Sequence, residues 1–165
     1  MDVQLTQKEQ MYLQDMLSHE ELCITKYANY AEQAQDPQLQ QLFREYEQHE
    51  KQHYDSITQL LQGQAPSMSS GQQGGQSRQG GQQQWQSMPG SQVSGYSGLT
   101  GQSDAQLCQD ALTTEKYISG AYDTAIFESA NPVVRQTLQH IQQEEQQHGE
   151  GIFHYMHARG MYEVQ

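Results

Sequence analysis

Residues 37–61 read PQLQQLFREYEQHEKQHYDSITQLL, and the spacing of their apolar positions decides the fold. Leu39, Leu42, Phe43, Tyr46, Ile57 and Leu60 recur every three or four residues, which puts them on one face of a helix. Glu50 and His53 fall on that same face, where aliphatic side chains are expected, and residues three apart on a helix are neighbours. Asp36-Pro37 marks the start of the helix. Asp can accept from the free amides of a first turn, and Pro has a helical φ at a position where its missing N–H costs nothing.

Upstream of Pro37, a second stripe runs Leu13, Leu17, Glu20, Ile24, Tyr27, Ala31 and Ala34, again with one acid, Glu20, breaking an apolar seam. Residues 1–62 are therefore a helical hairpin. Downstream, a gapless shift of 95 residues lays this hairpin over a second one. Leu17 falls on Leu112, Glu20 on Glu115, Tyr27 on Tyr122, Pro37 on Pro132, Glu50 on Glu145, His53 on His148 and Ile57 on Ile152. The third stripe is Cys108, Leu112, Glu115, Ser119, Tyr122 and Ile126, and the fourth is Val134, Leu138, Ile141, Glu145, His148, Ile152 and Tyr155, entered at Asn131-Pro132. Residues 104–165 form the second hairpin. Two such hairpins predict an all-α four-helix bundle, one domain in all.

Between the hairpins, residues 63–103 hold ten of the 14 glycines among Gln and Ser, with Trp85 and Tyr96 as isolated aromatics. Such a composition cannot bury enough apolar surface to offset its ordering entropy, so a mobile linker making a long crossover is predicted. The whole chain is 165 residues, one domain's worth, with 8 Lys and Arg against 20 Asp and Glu and a formal charge of −12. That balance excludes the basic footprint of a nucleic-acid partner. No apolar run approaches the roughly 20 residues of a membrane span, and the opening MDVQLTQKEQ lacks the charged and apolar regions of a leader, so neither a membrane partner nor a signal peptide is expected. Cys23 and Cys108 lie within helical patterns and read as small core residues. No Ser-His-Asp order, phosphate loop or Cys/His zinc pattern appears.

Four carboxylates in one bundle core are untenable alone, because each unpaired buried charge costs several kcal/mol. Two divalent metal ions would neutralise them. One Glu from each of two helices (Glu20, Glu115) and Glu-x-x-His from each of the other two (Glu50 with His53, Glu145 with His148) is the ligand set of di-iron and di-manganese carboxylate bundles. Oxygen and imidazole donors suit iron, manganese or zinc. The competing reading leaves these acids on splayed, solvated faces. His49 and Glu144, one turn from the candidate ligands, read as packing residues or partners that orient the ligands, with a role as extra ligands as the alternative. Tyr27 and Tyr122 read as core residues with a redox role as the alternative, His19, His140, His154 and His157 as surface or interface residues, and Glu47 and Asp55 as solvated charges.

The second half carries more specific marks: D-x-L-x-x-x-K at Asp110–Lys116, N-P-x-x-R at Asn131–Arg135, the Glu144-Glu145 pair, and IFHYMHARGMY at residues 152–162. In these it resembles the spore coat protein F (Coat F) family of endospore-forming bacteria, with Met161 where the family often has Trp. Residues Leu5 to Leu61 are similar to the same family's hairpin. The resemblance implies a ferritin-like bundle, synthesis in the cytoplasm followed by deposition in the spore coat, and other coat proteins and further copies of itself as partners.

Two functions follow. In the first, the coat-associated bundle holds a dinuclear iron or manganese centre at Glu20, Glu50, His53, Glu115, Glu145 and His148 that acts on peroxide or dioxygen, in the manner of manganese catalases and rubrerythrins; fold analogy alone supports this last step. Without rubredoxin-type cysteine pairs, any electrons come from an outside donor. In the second, the bundle is a structural coat component and its Gln-rich segment mediates assembly. Iron storage would need a closed shell of subunits, for which no sequence feature speaks.

Overall fold

The computed structural model describes residues 2–67 and 103–163. The expected linker, with Trp85 and Tyr96, lies almost wholly outside the described residues. Four helices account for nearly all the rest: α1 (Gln7–Gln33), α2 (Pro37–Leu61), α3 (Asp104–Glu128) and α4 (Pro132–Ala158). Among the described residues there is no strand ladder, only one isolated bridge between Asp2 and Gln64.

Each helix starts on a local signal. Thr6 and Glu9 form a reciprocal capping box at α1, and Ser103 and Gln106 repeat it at α3. Asp36 accepts from the amide of Gln38 at α2, Asn131 from that of Val133 at α4, and each is followed by Pro in the first turn. Past the end of α2, Gly63 takes φ 76°, which turns the chain so that its carbonyl accepts from the Val3 amide at 2.7 Å.

The helices pack as two hairpins, α1 on α2 and α3 on α4. Across the hairpins α1 and α3 run antiparallel, since Lys8 meets Glu128 while Lys26 meets Asp110. Hence α2 and α3 run in the same direction, so the end of α2 and the start of α3 lie at opposite ends of the bundle, roughly 38 Å apart along a 25-residue helix. Two reciprocal pins fix the hairpins end to end. Glu9 in the first turn of α1 accepts from the Asn131 amide in the α3–α4 turn at 2.7 Å. Asp104, 95 positions on, accepts from the amides of Gln35 and Asp36 in the α1–α2 turn at 2.8 and 3.0 Å.

The expected stripes form the core, with shifts at their edges. Leu17, Leu42 and Ser119 are only half-buried, while Met16, Cys23, Tyr30 and Ile118 are buried although they stand off those stripes. Each helix faces two neighbours, so its buried arc is wider than a single three-and-four seam. Cys23 and Cys108 are buried free thiols, as expected of small core residues.

Candidate metal centre

The acids that break the four seams meet halfway along the bundle. Glu20, Glu50 and Glu145 are fully buried, and Glu115, His53 and His148 are 2% exposed. Their donor atoms fall into two overlapping groups, Glu20, Glu50, His53 and Glu145 on one side and Glu50, Glu115, Glu145 and His148 on the other, with all donors of a group within 4.8 Å of one another. Glu50 and Glu145 belong to both. Nδ1 of His53 is 3.2 Å from Glu50 Oε2, 3.4 Å from Glu145 Oε1 and 3.5 Å from Glu20 Oε2. Nδ1 of His148 is 3.2 Å from Glu50 Oε1, 3.4 Å from Glu145 Oε2 and 3.5 Å from Glu115 Oε1. Each shared carboxylate thus turns one oxygen to each imidazole.

Apart from Nδ1 of His53 and Oε2 of Glu50, which are in hydrogen-bond contact, these atoms lie close together without being directed at one another. Glu20 Oε2, Glu50 Oε1, Glu115 Oε2, both oxygens of Glu145 and Nδ1 of His148 are buried with no hydrogen-bond partner. Buried polar atoms are ordinarily paired, so orphans that converge on two points fit a pair of cations whose charge offsets four carboxylates. The donor set of carboxylate oxygens and imidazole nitrogens suits first-row divalent metals.

Without a cation, protons do the balancing. Burial, reinforced by the charges of Glu145 and Glu50, holds Glu20 well above the usual carboxylate range; burial and Glu145 do the same to Glu115. Burial opposes ionisation of Glu50 and Glu145 too, but the adjoining imidazoles of His148 and His53 hold Glu50 below its ordinary value and Glu145 well below it. For the imidazoles burial works downward. The surrounding carboxylates, Glu144 first for His53 and Glu115 first for His148, outweigh it and hold both well above the usual range.

A second layer of side chains orients the first. The Tyr122 hydroxyl donates to Glu20 Oε1 and the Tyr27 hydroxyl to Glu115 Oε1, so each outer carboxylate is held by the tyrosine of the antiparallel helix. Nε2 of His53 donates to Glu144 Oε2 at 2.7 Å. Nε2 of His148 meets Nδ1 of His49 at 3.0 Å, and His49, its pKa lowered by burial and by His148, is the acceptor. Turning the outer nitrogen to a fixed partner sets which nitrogen faces the centre. His49 and Glu144 thus stand behind the imidazoles of His148 and His53 and belong to neither donor group, which is the favoured of their two readings. The tyrosine contacts were missed: the recurrence of Tyr27 and Tyr122 at the same offset from an acid was a signal, but the acid each one serves is on the other helix. Glu47 is not the solvated charge expected, since it is 18% exposed and paired with Lys51. His19 is half-buried edge-on to Tyr117, His140 lies 3.7 Å from Glu144, and His154 and His157 are exposed.

The hairpin that supplies Glu115, Glu145 and His148 also has a recognisable sequence. Residues 103–165 match the Coat F domain. The Coat F match covers α3 and α4 and stops short of Leu5 to Leu61, whose resemblance to the same family rests on its residues alone. In structure, the chain is similar to a two-domain protein of Anabaena variabilis that contains DJ-1/ThiJ/PfpI-like and ferritin-like domains, with a TM-score of 0.67 and 15% identity over 97% of this chain. The chain spans 40% of that protein's length. The bundle is accordingly ferritin-like in fold. No curated protein matches the sequence. No described helix is long and apolar enough to cross a membrane.

Proposed function

We propose that this chain is a spore-coat-associated ferritin-like protein that binds two divalent metal ions, iron or manganese, through Glu20, Glu50, His53, Glu115, Glu145 and His148. The observation that carries the reading is the sharing of Glu50 and Glu145: each presents one oxygen to each imidazole, the arrangement by which two carboxylates bridge two cations. Glu20 with His53 and Glu115 with His148 then complete the two ends. Coat association rests on the Coat F match of the second hairpin. When bound, a pair of redox-active cations supplies a place for peroxide or dioxygen between them. The protein's own share is to hold the ligands and keep the outer carboxylates in place through Tyr27 and Tyr122.

The Coat F match favours a second reading as well, that of a coat component whose bundle packs with other coat proteins and further copies of itself. Metal content separates the two. Protein purified without chelators and analysed by mass spectrometry should carry about two iron or manganese ions per chain. Protein that carries none, and takes up none on addition of either metal, is a structural component.

A further inference from the structure

One end of the centre adjoins a cavity. It measures about 340 Å³ and opens between α3 and α4. Leu112, Glu115, Lys116 and Ser119 line it from α3, and Glu145 and Gly149 from α4. Two residues of the centre, Glu115 and Glu145, are among its lining, and both carry carboxylate oxygens without partners. What leaves room is the small size of two side chains. Gly149 has none, and a Cβ placed there would stand 3.7 Å from Leu112 Cδ1 and 3.9 Å from the Glu115 Cβ, so anything larger would project into the gap beside Glu115. Ser119 is the other.

At the positions 95 residues earlier, on the α1–α2 side, the chain has Tyr54 in place of Gly149 and Ile24 in place of Ser119. Ile24 is buried there, and Tyr54 is half-buried and close enough to Glu21 to feel its charge. The rim residue differs too: Lys116 lies on the α3 side, Glu21 at the corresponding place on α1. In a chain of net charge −12, that places a cation beside the opening.

The geometry points to a one-sided mouth, in which Gly149 and Ser119 admit a molecule of peroxide size, neutral or singly anionic, to the Glu115–His148 end of the centre, while Tyr54 and Ile24 close the Glu20–His53 end. This rests on the dinuclear reading above and adds which end exchanges ligands with solvent and which side chains control it.

The test uses the full chain loaded with cobalt(II), whose visible spectrum reports its coordination, and azide as the probe. Parent protein with two cobalt ions should change its spectrum on adding azide. Gly149→Tyr combined with Ser119→Ile, which puts into the second hairpin the residues found in the first, should bind the same cobalt and lose the azide response at concentrations that saturate the parent. Gly149→Ala, whose added methyl meets only ordinary contacts, should keep it. Should the double variant fail to fold by circular dichroism, Ser119→Ile alone should weaken the response. A parent that takes up no cobalt overturns the metal reading and the mouth with it. A folded, cobalt-loaded variant that answers azide as the parent does overturns the mouth alone.

Discussion

Filling the centre should expel protons, and the charges around it fix how many. In the metal-free protein Glu20, Glu115, His53 and His148 are all held well above their ordinary pKa values, which favours their protonated forms, while Glu50 and Glu145 are held below theirs, which favours the carboxylate. Two imidazolium charges then offset two carboxylates. With two divalent cations bound, four carboxylates offset four metal charges, and the imidazoles bind through neutral nitrogen. The difference is about four protons per pair of ions, one from each of the four raised groups. Each displaced proton makes the apparent affinity tenfold dependent on each pH unit, so the product of the two binding constants should change by about four decades per unit while all four groups are protonated. Occupancy falls as pH drops. Calorimetric titration with manganese(II) in buffers of different ionisation enthalpy reads the number directly, as the slope of observed heat against buffer heat. A slope near zero at neutral pH would refute the reasoning, because it would mean that the carboxylates are already ionised and open to water. Stability carries the same sign. Groups whose folded pKa is raised contribute stability that is complete below their unfolded values and lost as pH rises through the folded ones; for Glu50 and Glu145 the contribution is present above the ordinary carboxylate range and lost as pH falls through their lowered values. Metal-free protein should therefore weaken toward alkaline pH, and the rise in melting temperature on adding metal should grow over the same range.

Replacing Glu145 by Ala removes a carboxylate common to both ligand groups and should lower bound metal and abolish the effect of chelators on melting, whereas Glu150→Ala, at a side chain 68% exposed, should leave metal content unchanged. Tyr27→Phe deletes the donor to Glu115 Oε1 and should cost about 1 kcal/mol of stability, together with roughly 10- to 100-fold in metal affinity; unchanged affinity in an equilibrium titration would reduce Tyr27 to a packing residue. Glu9→Ala strips its partner from the Asn131 amide and from the amide and hydroxyl of Thr6, all within 2.7–2.8 Å, and should lower stability by roughly 2 kcal/mol in urea unfolding. Despite burial, the Asn131 and Thr6 donors hold the Glu9 carboxyl below its ordinary value, so this difference should shrink as pH falls through that lowered value.

The helices and the acids that break their seams were legible because both are local. A three-and-four spacing places Glu50 beside His53, and Asp36-Pro37 ends one helix and begins the next, without reference to any distant residue. That the six side chains converge follows once four stripes face one axis. What was not legible depends on register between helices. Tyr27 lies two turns from Glu20 on its own helix yet donates to Glu115, because α1 and α3 are antiparallel and their offset is set by packing. The same holds for Glu144, whose partner is His53 of α2 and not a residue of α4. Glu47 reads as solvated from its place on the helix, but its neighbour Lys51 covers it in part. Gly149 drew no attention because a glycine in a helix reads as a mild defect until the space beside it is seen.

The packing between hairpins is sparser than the packing within them, and the buried acids sit in that sparser layer. Without a cation between its orphaned oxygens, this layer should be where the bundle parts most easily, and slow amide exchange should fade there first. Each four-donor group takes three side chains from one hairpin and one from the other, so a cation in either place is held from both sides of the gap. The same plane is then the bundle's loosest joint when vacant and its firmest clamp when filled.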